Sequence, residues 1–446
     1  MRFSGFILAL LASVAAAAAV DDAQRLAVYK EFRAAYDAKH YSAALPYAEK
    51  LVVLTEQQYG TDNAALANPL SNLGATRFHL GDYPGAEAPF QRAVRLLETR
   101  NAGSGGIDRQ LIRPLHGLGE TWFAARQYPE AAAALKRAVD ISRNADGLFN
   151  AEQLPVLTTL IDCYLALGRK SDAEKEHQYA FRVAETSFGP RDLRMLGPIE
   201  RYARWFEYNG RYLSARALHG RGLQLAEEVA GRGTAQTVAP LRGIARTYYL
   251  EYLFGPEKEE PAPEQDPFST TAATTASGVT RLNPDGEKAL QLAIAALSKS
   301  GSIDQQLRGD TLSELGDWYM VAGQSAKAKD IYGLAWHDLA AVQATGQLAT
   351  PRQLVYRPPV GSVARVHPSK PDEWEEKTAE LSFVVTPEGT VRDIRLTKSD
   401  VSDSMVKGAE LALRKSLYAP RIEAGVAETT EDVHFIEHFL VRKPKS

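Results

Sequence analysis

The chain has 446 residues, of which 45% are hydrophobic and 24% are charged, and its formal net charge is −3. This length allows two or three domains with sizeable cores, and the composition is that of a folded soluble protein. The small negative charge provides no overall positive field, which argues against nucleic acid or an anionic lipid surface as the partner.

The N-terminal segment differs from the rest of the chain. Arg2 provides a positive start, and an uncharged, alanine-rich run then continues from Phe3 to Val20. This pattern predicts a signal peptide at residues 1–19, cleaved after Ala19, and therefore a periplasmic protein of a Gram-negative bacterium. The alternative is an uncleaved anchor in the inner membrane, for which the alanine-rich second half is a weak membrane segment.

A single cysteine, Cys163, lies in the helical stretch IDCYLAL. No intrachain disulfide can form, so the fold must be stabilised by burial even in an oxidising compartment. We expect this thiol to be packed in the core of a helical region, where it would be unreactive.

A repeated pattern with a 42-residue step covers residues 24–340. Its clearest unit is NPLSNLGATRFHLGDYPGAEAPFQRAVRLLE, which starts at Asn68. Successive units are separated by 42, 45, 42, 42, 42 and 71 residues, and the equivalent positions are Glu31, Leu73, Leu118, Leu160, Tyr202, Ile244 and Leu315. Each unit predicts a hairpin of two helices, with small residues at the point of closest approach. Such hairpins must stack on their neighbours to bury both faces.

The positions of the small and aromatic residues resemble tetratricopeptide repeats, and the long step is similar to that of kinesin light chains. This resemblance implies a mainly α-helical superhelix of about seven units with a concave groove. Residues 255–283 interrupt the pattern with an acidic, proline- and threonine-rich composition, which predicts a disordered insertion. We expect this insertion to be able to lie across the groove as a tethered competitor of a partner.

In such repeats, the groove is lined by the first helix of each hairpin, at offsets of −2, +2 and +5 from the equivalent positions. In the fifth and sixth units, these offsets and their neighbours bring arginines together with two glutamates, Glu200 and Glu207. One interpretation is a solvated face with internal salt bridges. The other is a site for an acidic or carboxylate-ended segment of a partner, because arginine binds carboxylates through two parallel hydrogen bonds. The candidate residues are Arg201, Arg204, Arg242, Arg246 and Tyr249.

The last ninety residues change from helical periodicity to the alternation of strands. Residues 341–375 are rich in proline and predict a linker, and residues 379–398 predict a β-hairpin. A helix is predicted over 402–417, capped by Ser402, with an apolar stripe formed by Met405, Ala409, Ala412, Leu413 and Leu417. A final strand is predicted over 429–441.

This order resembles the C-terminal domain of TonB-type energy transducers, through FVVTPEGTVRDIRLTKS, ALRKSLYAPR and the closing HFIEHF. The resemblance implies a small α+β domain over residues 376–446. It also implies that the last strand offers its edge to an extended peptide, by β-augmentation. Carried over to this chain, the residues bordering that edge are Val433, Phe435 and Phe439.

The stretch VHFIEHF contains His434, Glu437 and His438, the spacing of a metal-hydrolase signature that requires a helix. The surrounding β-branched and aromatic residues predict a strand instead. On a strand the two histidines lie about 13 Å apart along the chain, too far to share one zinc ion.

Together these features predict a non-catalytic periplasmic adaptor with no metal or cofactor. Its partners would be proteins or peptides, for example of the outer membrane or the cell envelope. The alternative is a TonB-family energy-transduction component that residues 5–20 retain in the inner membrane, for transport across the outer membrane.

Overall fold

The computed structural model describes residues 22–102, 108–255, 282–299, 304–365 and 373–443. The predicted signal peptide lies outside these residues, as does most of the predicted insertion. The chain divides into two compact units, Met1–Pro190 and Arg191–Ser446.

The first unit consists of helical hairpins. Consecutive helices pack against each other, and in each hairpin the first helix is followed by a second, longer one. The helices are α1 (22–37), α2 (Tyr41–Tyr59), α3 (Ala67–His79), α4 (Tyr83–Asn101), α5 (Ile112–Ala124), α6 (Tyr128–Asp146), α7 (Leu154–Ala166) and α8 (Lys170–Phe188).

The second unit continues the hairpins and ends in a small α+β region. Its hairpin helices are α9 (Leu196–Tyr208), α10 (Tyr212–Val229), α11 (Val238–Phe254), α12 (Pro284–Lys299), α13 (Gln305–Val321) and α14 (Ser325–Ala341). The elements that follow are β1 (Arg352–Val355), β2 (Trp374–Val385), β3 (Val391–Ser399), α15 (Asp403–Arg414), β4 (Leu417–Ala419), β5 (Arg421–Glu423), β6 (Val426–Glu428) and β7 (Thr430–Arg442).

The hairpins keep the step that the sequence predicts. Second helices begin at Tyr41, Tyr83, Tyr128, Lys170 and Tyr212. Small residues lie where the two helices of a hairpin approach most closely: a Cβ on Gly119 would lie 2.5 Å from the Leu135 side chain, and one on Gly316 would lie 2.4 Å from the Tyr332 ring. The prediction of tetratricopeptide-like helical hairpins is therefore confirmed.

A recurrent polar cap precedes several first helices. A short 3₁₀ turn leads into α3, α5, α7 and α9, and the side chain before that turn accepts a hydrogen bond of 2.8–2.9 Å from the backbone N–H two residues later. Such caps satisfy donors that have no partner within a helix. The capping residues are Asn63, Asp108, Asn150 and Asp192.

The C-terminal region contains a three-stranded antiparallel sheet in the order β3-β2-β7. Alternate residues of β2, among them Leu381 and Phe383, are buried with Ala409 and Leu413 of α15 in one core. The predicted hairpin and final strand are confirmed. The predicted helix is correct in place, but Ser402 makes no side-chain capping hydrogen bond, and the helix ends at Arg414. Leu417 belongs to β4 instead.

Part of the predicted linker is a structural element. Residues Arg352–Val355 form β1, which pairs with β4. Ala419 of β4 and Ile422 of β5 share a core with α13 and α14, and Lys329 of α14 lies 3.2 Å from Glu388 in the β2–β3 turn. The small sheet region therefore packs directly on the last hairpin, so the stretch around β1 is not a free linker.

Candidate functional site

The first-helix face of the second unit is formed by side chains of α9, α11 and α13, and it carries three of the predicted groove residues in internal ion pairs. Arg246 donates two hydrogen bonds to Glu207, from Nε to Oε2 at 2.7 Å and from Nη2 to Oε1 at 3.1 Å. Its Nη2 also donates to Glu200 Oε1 at 3.2 Å. Arg204 donates to the same Glu200 oxygen at 2.7 Å. α9 and α11 are therefore joined by arginine–carboxylate bonds.

Glu207 is buried and also contacts a buried histidine, His219 of α10, whose Nε2 lies 2.8 Å from Glu207 Oε1. Burial alone would raise the pKa of Glu207, but hydrogen bonds from His219 and Arg246 hold that pKa below its ordinary value. The carboxylate is thus charged at neutral pH and already bonded from two sides.

A second set of pairs joins α11 to α13 and α13 to β1. Arg242 donates two bonds to Glu314, of 2.9 and 2.6 Å. Arg352 donates from Nη1 and Nη2 to Asp317, at 3.0 and 2.7 Å, and Asp317 also accepts from the Tyr332 hydroxyl at 2.6 Å. Burial raises the pKa of Asp317 although Arg352 lies beside it.

Tyr249 is partly buried, like Arg242 and Arg246, and packs against the core that α11, α12, α13 and α14 share. Its hydroxyl contacts the Leu354 carbonyl at 3.5 Å, and burial raises its pKa well above the ordinary value. With Arg246, Glu314, Asp317 and other side chains, it lines a cavity of about 130 Å³ whose apolar wall includes Trp318. Arg201 is exposed on α9.

The structure thus brings Arg204, Arg242, Arg246 and Tyr249 to one face, and their neighbours include carboxylates that the sequence interpretation did not name. Glu314 and Asp317 were missed, although Asp317 lies at the offset of +2 in the seventh unit and the same rule would have found it. Glu200 and Glu207 were named as possible salt-bridge partners, and both form such bridges. Whether these residues bind a partner stays a prediction.

The second candidate surface is the outer edge of β7, the edge that does not pair with β2. At one end this edge is covered by the chain itself: Val363 N donates to His438 O at 2.8 Å, and Leu440 N donates to Gly361 O at 2.9 Å. Because backbone groups alternate in direction along an antiparallel strand, those of His434 and Ile436 point to the same outer side. Among the described residues, no strand pairs with the edge there.

The three predicted edge residues lie on the face of β7 that packs towards α15. Val433 and Phe435 are partly buried, and the ring of Tyr356 lies edge-on to that of Phe435 at 5.1 Å. Phe439 is fully buried, and its edge is occupied by Ser362. Val433 and Phe435 therefore border the open part of the edge, whereas Phe439 borders the covered part.

The His-x-x-Glu-His stretch is a strand, as predicted. His438 and His434 contact different acids: His438 Nδ1 lies 2.6 Å from Glu376, and His434 Nε2 lies 3.4 Å from Asp432. Glu437 is buried on the opposite face and accepts a hydrogen bond from the Tyr356 hydroxyl. Burial, reinforced by this bond, raises the pKa of Tyr356.

No family model matches the chain, and no curated protein matches it either. Solved structures of similar fold include a putative kinesin light chain with tetratricopeptide-like repeats from Podospora anserina, at 15% identity over 46% of this chain and 96% of that one, with a TM-score of 0.41. Others are apo RapI, at 14% identity over 72% and 99% with a TM-score of 0.43, and a repeat-containing protein from Cytophaga hutchinsonii, at 13% over 72% and 96% with a TM-score of 0.40. Since these TM-scores are below 0.5, the tetratricopeptide-like fold is shown by the helix pairing described above.

Across the ranges that the structure describes, every helix is too short or too polar to cross a membrane.

Proposed function

We propose that this chain is a non-catalytic periplasmic adaptor that binds other proteins at two surfaces. The helical repeats hold one partner segment on their first-helix faces, and the C-terminal sheet holds an extended peptide on the outer edge of β7. The periplasmic location is supported by the sequence of residues 1–19.

The observation that carries the proposal is the part-covered edge of β7. Strand edges offer unpaired N–H and C=O groups to any extended chain, and proteins usually cover or blunt them. Here residues 361–363 pair with one end, while the outward groups at His434 and Ile436 have no strand partner among the described residues. A peptide that continues this short pairing would add a strand by β-augmentation.

A proline substitution tests the edge directly. Ile436→Pro removes an outward N–H while leaving the inward bonds to β2, and Ile436→Thr is the matched control that keeps the N–H. The Ile436 side chain is 48% exposed, so neither variant empties a core position. We expect envelope proteins that co-purify with the tagged full-length chain from a periplasmic extract to be lost with Ile436→Pro and kept with Ile436→Thr.

The same preparation tests the location. A mature N-terminus near Val20 supports a periplasmic adaptor, whereas an intact N-terminus in the membrane fraction favours the energy-transduction alternative. If no envelope protein is recovered, or if both variants retain the same proteins, the β-augmentation proposal is wrong.

A further inference from the structure

The first unit contains a small pocket on its own first helices. It has a volume of about 160 Å³ and opens between α1, α3 and α5. Several lining residues occupy the offsets that the repeat pattern assigns to the groove. The lining includes Tyr36, Ala75, Phe78, Arg113, His116 and Glu120.

The polar end of this pocket, which we call the His116 pocket, holds a nitrogen without a partner. His116 Nε2 is buried, and it makes no hydrogen bond within the part of the chain that the structure describes. The nearest carboxylate oxygen, Glu120 Oε1, lies 3.6 Å away, beyond hydrogen-bond length. A buried polar atom left unpaired in this way is costly, so a ligand that satisfies it would gain affinity.

The charges around this nitrogen are balanced. Arg113 donates from Nη2 to Asn72 Oδ1 at 2.6 Å and contributes one positive charge, while Glu120 contributes one negative charge. Burial lowers the pKa of His116, so its imidazole is neutral at neutral pH. An ammonium ligand would face Arg113 and a carboxylate ligand would face Glu120, so the pocket favours an uncharged group that can hydrogen-bond.

The walls of the pocket are aromatic. Tyr36, Phe78, His79 and Phe90 line it, and the His79 ring is stacked on Tyr41 at a centroid distance of 4.4 Å. Aromatic walls favour an aromatic occupant through edge and offset-stacked contacts. The volume is well below the roughly 300–1,000 Å³ of small-molecule sites and suits a single side chain.

We propose that the His116 pocket binds a tyrosine side chain of an extended partner segment, with the phenol hydroxyl hydrogen-bonded to His116 Nε2. This inference rests on the proposed adaptor function and names the anchor residue of its partner. A phenylalanine would fill the same walls but would leave the His116 nitrogen unpaired. The pocket therefore selects tyrosine over phenylalanine.

The test measures binding of N-acetyl-tyrosinamide and N-acetyl-phenylalaninamide to the full-length chain by ligand-observed NMR titration. One buried hydrogen bond predicts about tenfold tighter binding of the tyrosine amide. Ala75→Met fills the pocket and should abolish saturable binding of both amides. Ala166→Met, the same substitution at an exposed position on α7, should leave binding unchanged.

Two further variants separate hydrogen bonding from a structural role of His116. His116→Leu should lower the affinity for the tyrosine amide about tenfold, to that for the phenylalanine amide. The affinity for the phenylalanine amide should stay the same. His116→Gln keeps a donor near the position of Nε2 and should restore part of the discrimination. Circular dichroism melting curves establish that each variant is folded, and Ala75→Met carries the test if the His116 variants are not.

Equal affinity of the two amides for the unmodified chain would overturn the inference, as would equal losses for both amides in His116→Leu. The absence of saturable binding of either amide would also overturn the inference. These outcomes are distinct from failure of the adaptor function. If a protein partner still binds the Ala75→Met variant, the adaptor proposal holds and the tyrosine pocket is wrong. If the pocket binds tyrosine selectively but no protein partner is found, the pocket holds and the adaptor proposal is wrong.

Discussion

Replacing Arg352 with methionine removes the cation that neutralises a buried carboxylate between the repeats and the C-terminal sheet. Arg352 on β1 donates two bonds to Asp317 on α13 and a third, of 3.1 Å, to Ser313. Methionine keeps much of the apolar stem but none of these donors. The variant therefore isolates the charge and its hydrogen bonds from the packing of the side chain.

The expected cost follows from the burial of the two partners. Removing one member of a fully buried ion pair costs about 3–5 kcal/mol, because the other charge stays buried and unpaired. The Asp317 side chain is 16% exposed and that of Arg352 is 33% exposed, and the Tyr332 hydroxyl continues to donate to Asp317. We therefore expect Arg352→Met to lower the free energy of unfolding by about 2 kcal/mol at pH 7.

The pH dependence provides a second signature. Some carboxyl groups have a higher pKa in the folded chain than in the unfolded chain. Such a group contributes less to the free energy of unfolding as the pH rises from its unfolded pKa, about 4, through its folded pKa. Burial already raises the pKa of Asp317, and loss of Arg352 removes the charge that opposes this rise. The loss in Arg352→Met should therefore be smaller at pH 4 than at pH 7.

Denaturant unfolding, followed by tryptophan fluorescence and circular dichroism at both pH values, measures these differences. The double variant Asp317→Asn/Arg352→Met removes the unpaired charge and should recover at least about 1 kcal/mol relative to Arg352→Met. A loss below about 0.5 kcal/mol, or a loss that does not change with pH, would refute the assignment of this pair as a buried link between the repeats and the sheet.

Gly316→Ala should lower the free energy of unfolding by about 1–3 kcal/mol, because its Cβ would lie 2.4 Å from a tyrosine ring of α14. Gly220→Ala, with nothing within 4 Å of its Cβ, is the matched control and should be neutral or slightly stabilising in the same urea titration. Arg246→Ala should lower the free energy of unfolding by about 2 kcal/mol at pH 7, because buried Glu207 loses the two hydrogen bonds that Arg246 donates to it. The pKa of Glu207 is lowered in the folded chain, so the stability that its ionised carboxylate contributes is present above its unfolded pKa and is lost as the pH falls through its folded pKa. The stability difference between Arg246→Ala and the unmodified chain should therefore shrink in acid. A difference that does not shrink contradicts this pairing. Cys163 is fully buried, and burial raises the pKa of its thiol to about 12. Mass spectrometry should therefore show that this thiol resists iodoacetamide in the native chain and reacts fully after denaturation. Rapid labelling of the native chain would contradict this packing.

Features set by local sequence were the most predictable. The 42-residue step, the close approach at Gly119 and Gly316, and the β2–β3 hairpin all depend on residues near one another in the chain. The end of α15 was not predictable in this way. Leu417 continues the helical stripe, but it joins β4, which pairs with β1 about 65 residues earlier. Likewise, residues 352–355 look like part of a proline-rich linker until that distant strand is known.

The arginine cluster shows the same limit for the candidate site. Arg242 and Arg246 do form the two-pronged carboxylate bonds that arginine favours, but their partners are Glu314 and Glu207, 72 and 39 residues away in the chain. An acidic partner segment must therefore compete with bonds that already exist, and each displaced carboxylate would remain partly or fully buried. The His116 pocket differs, because its polar nitrogen has no bond to break within the described residues. Binding there adds a hydrogen bond without breaking one between described residues of the protein, which favours the first unit as the site of a side-chain anchor.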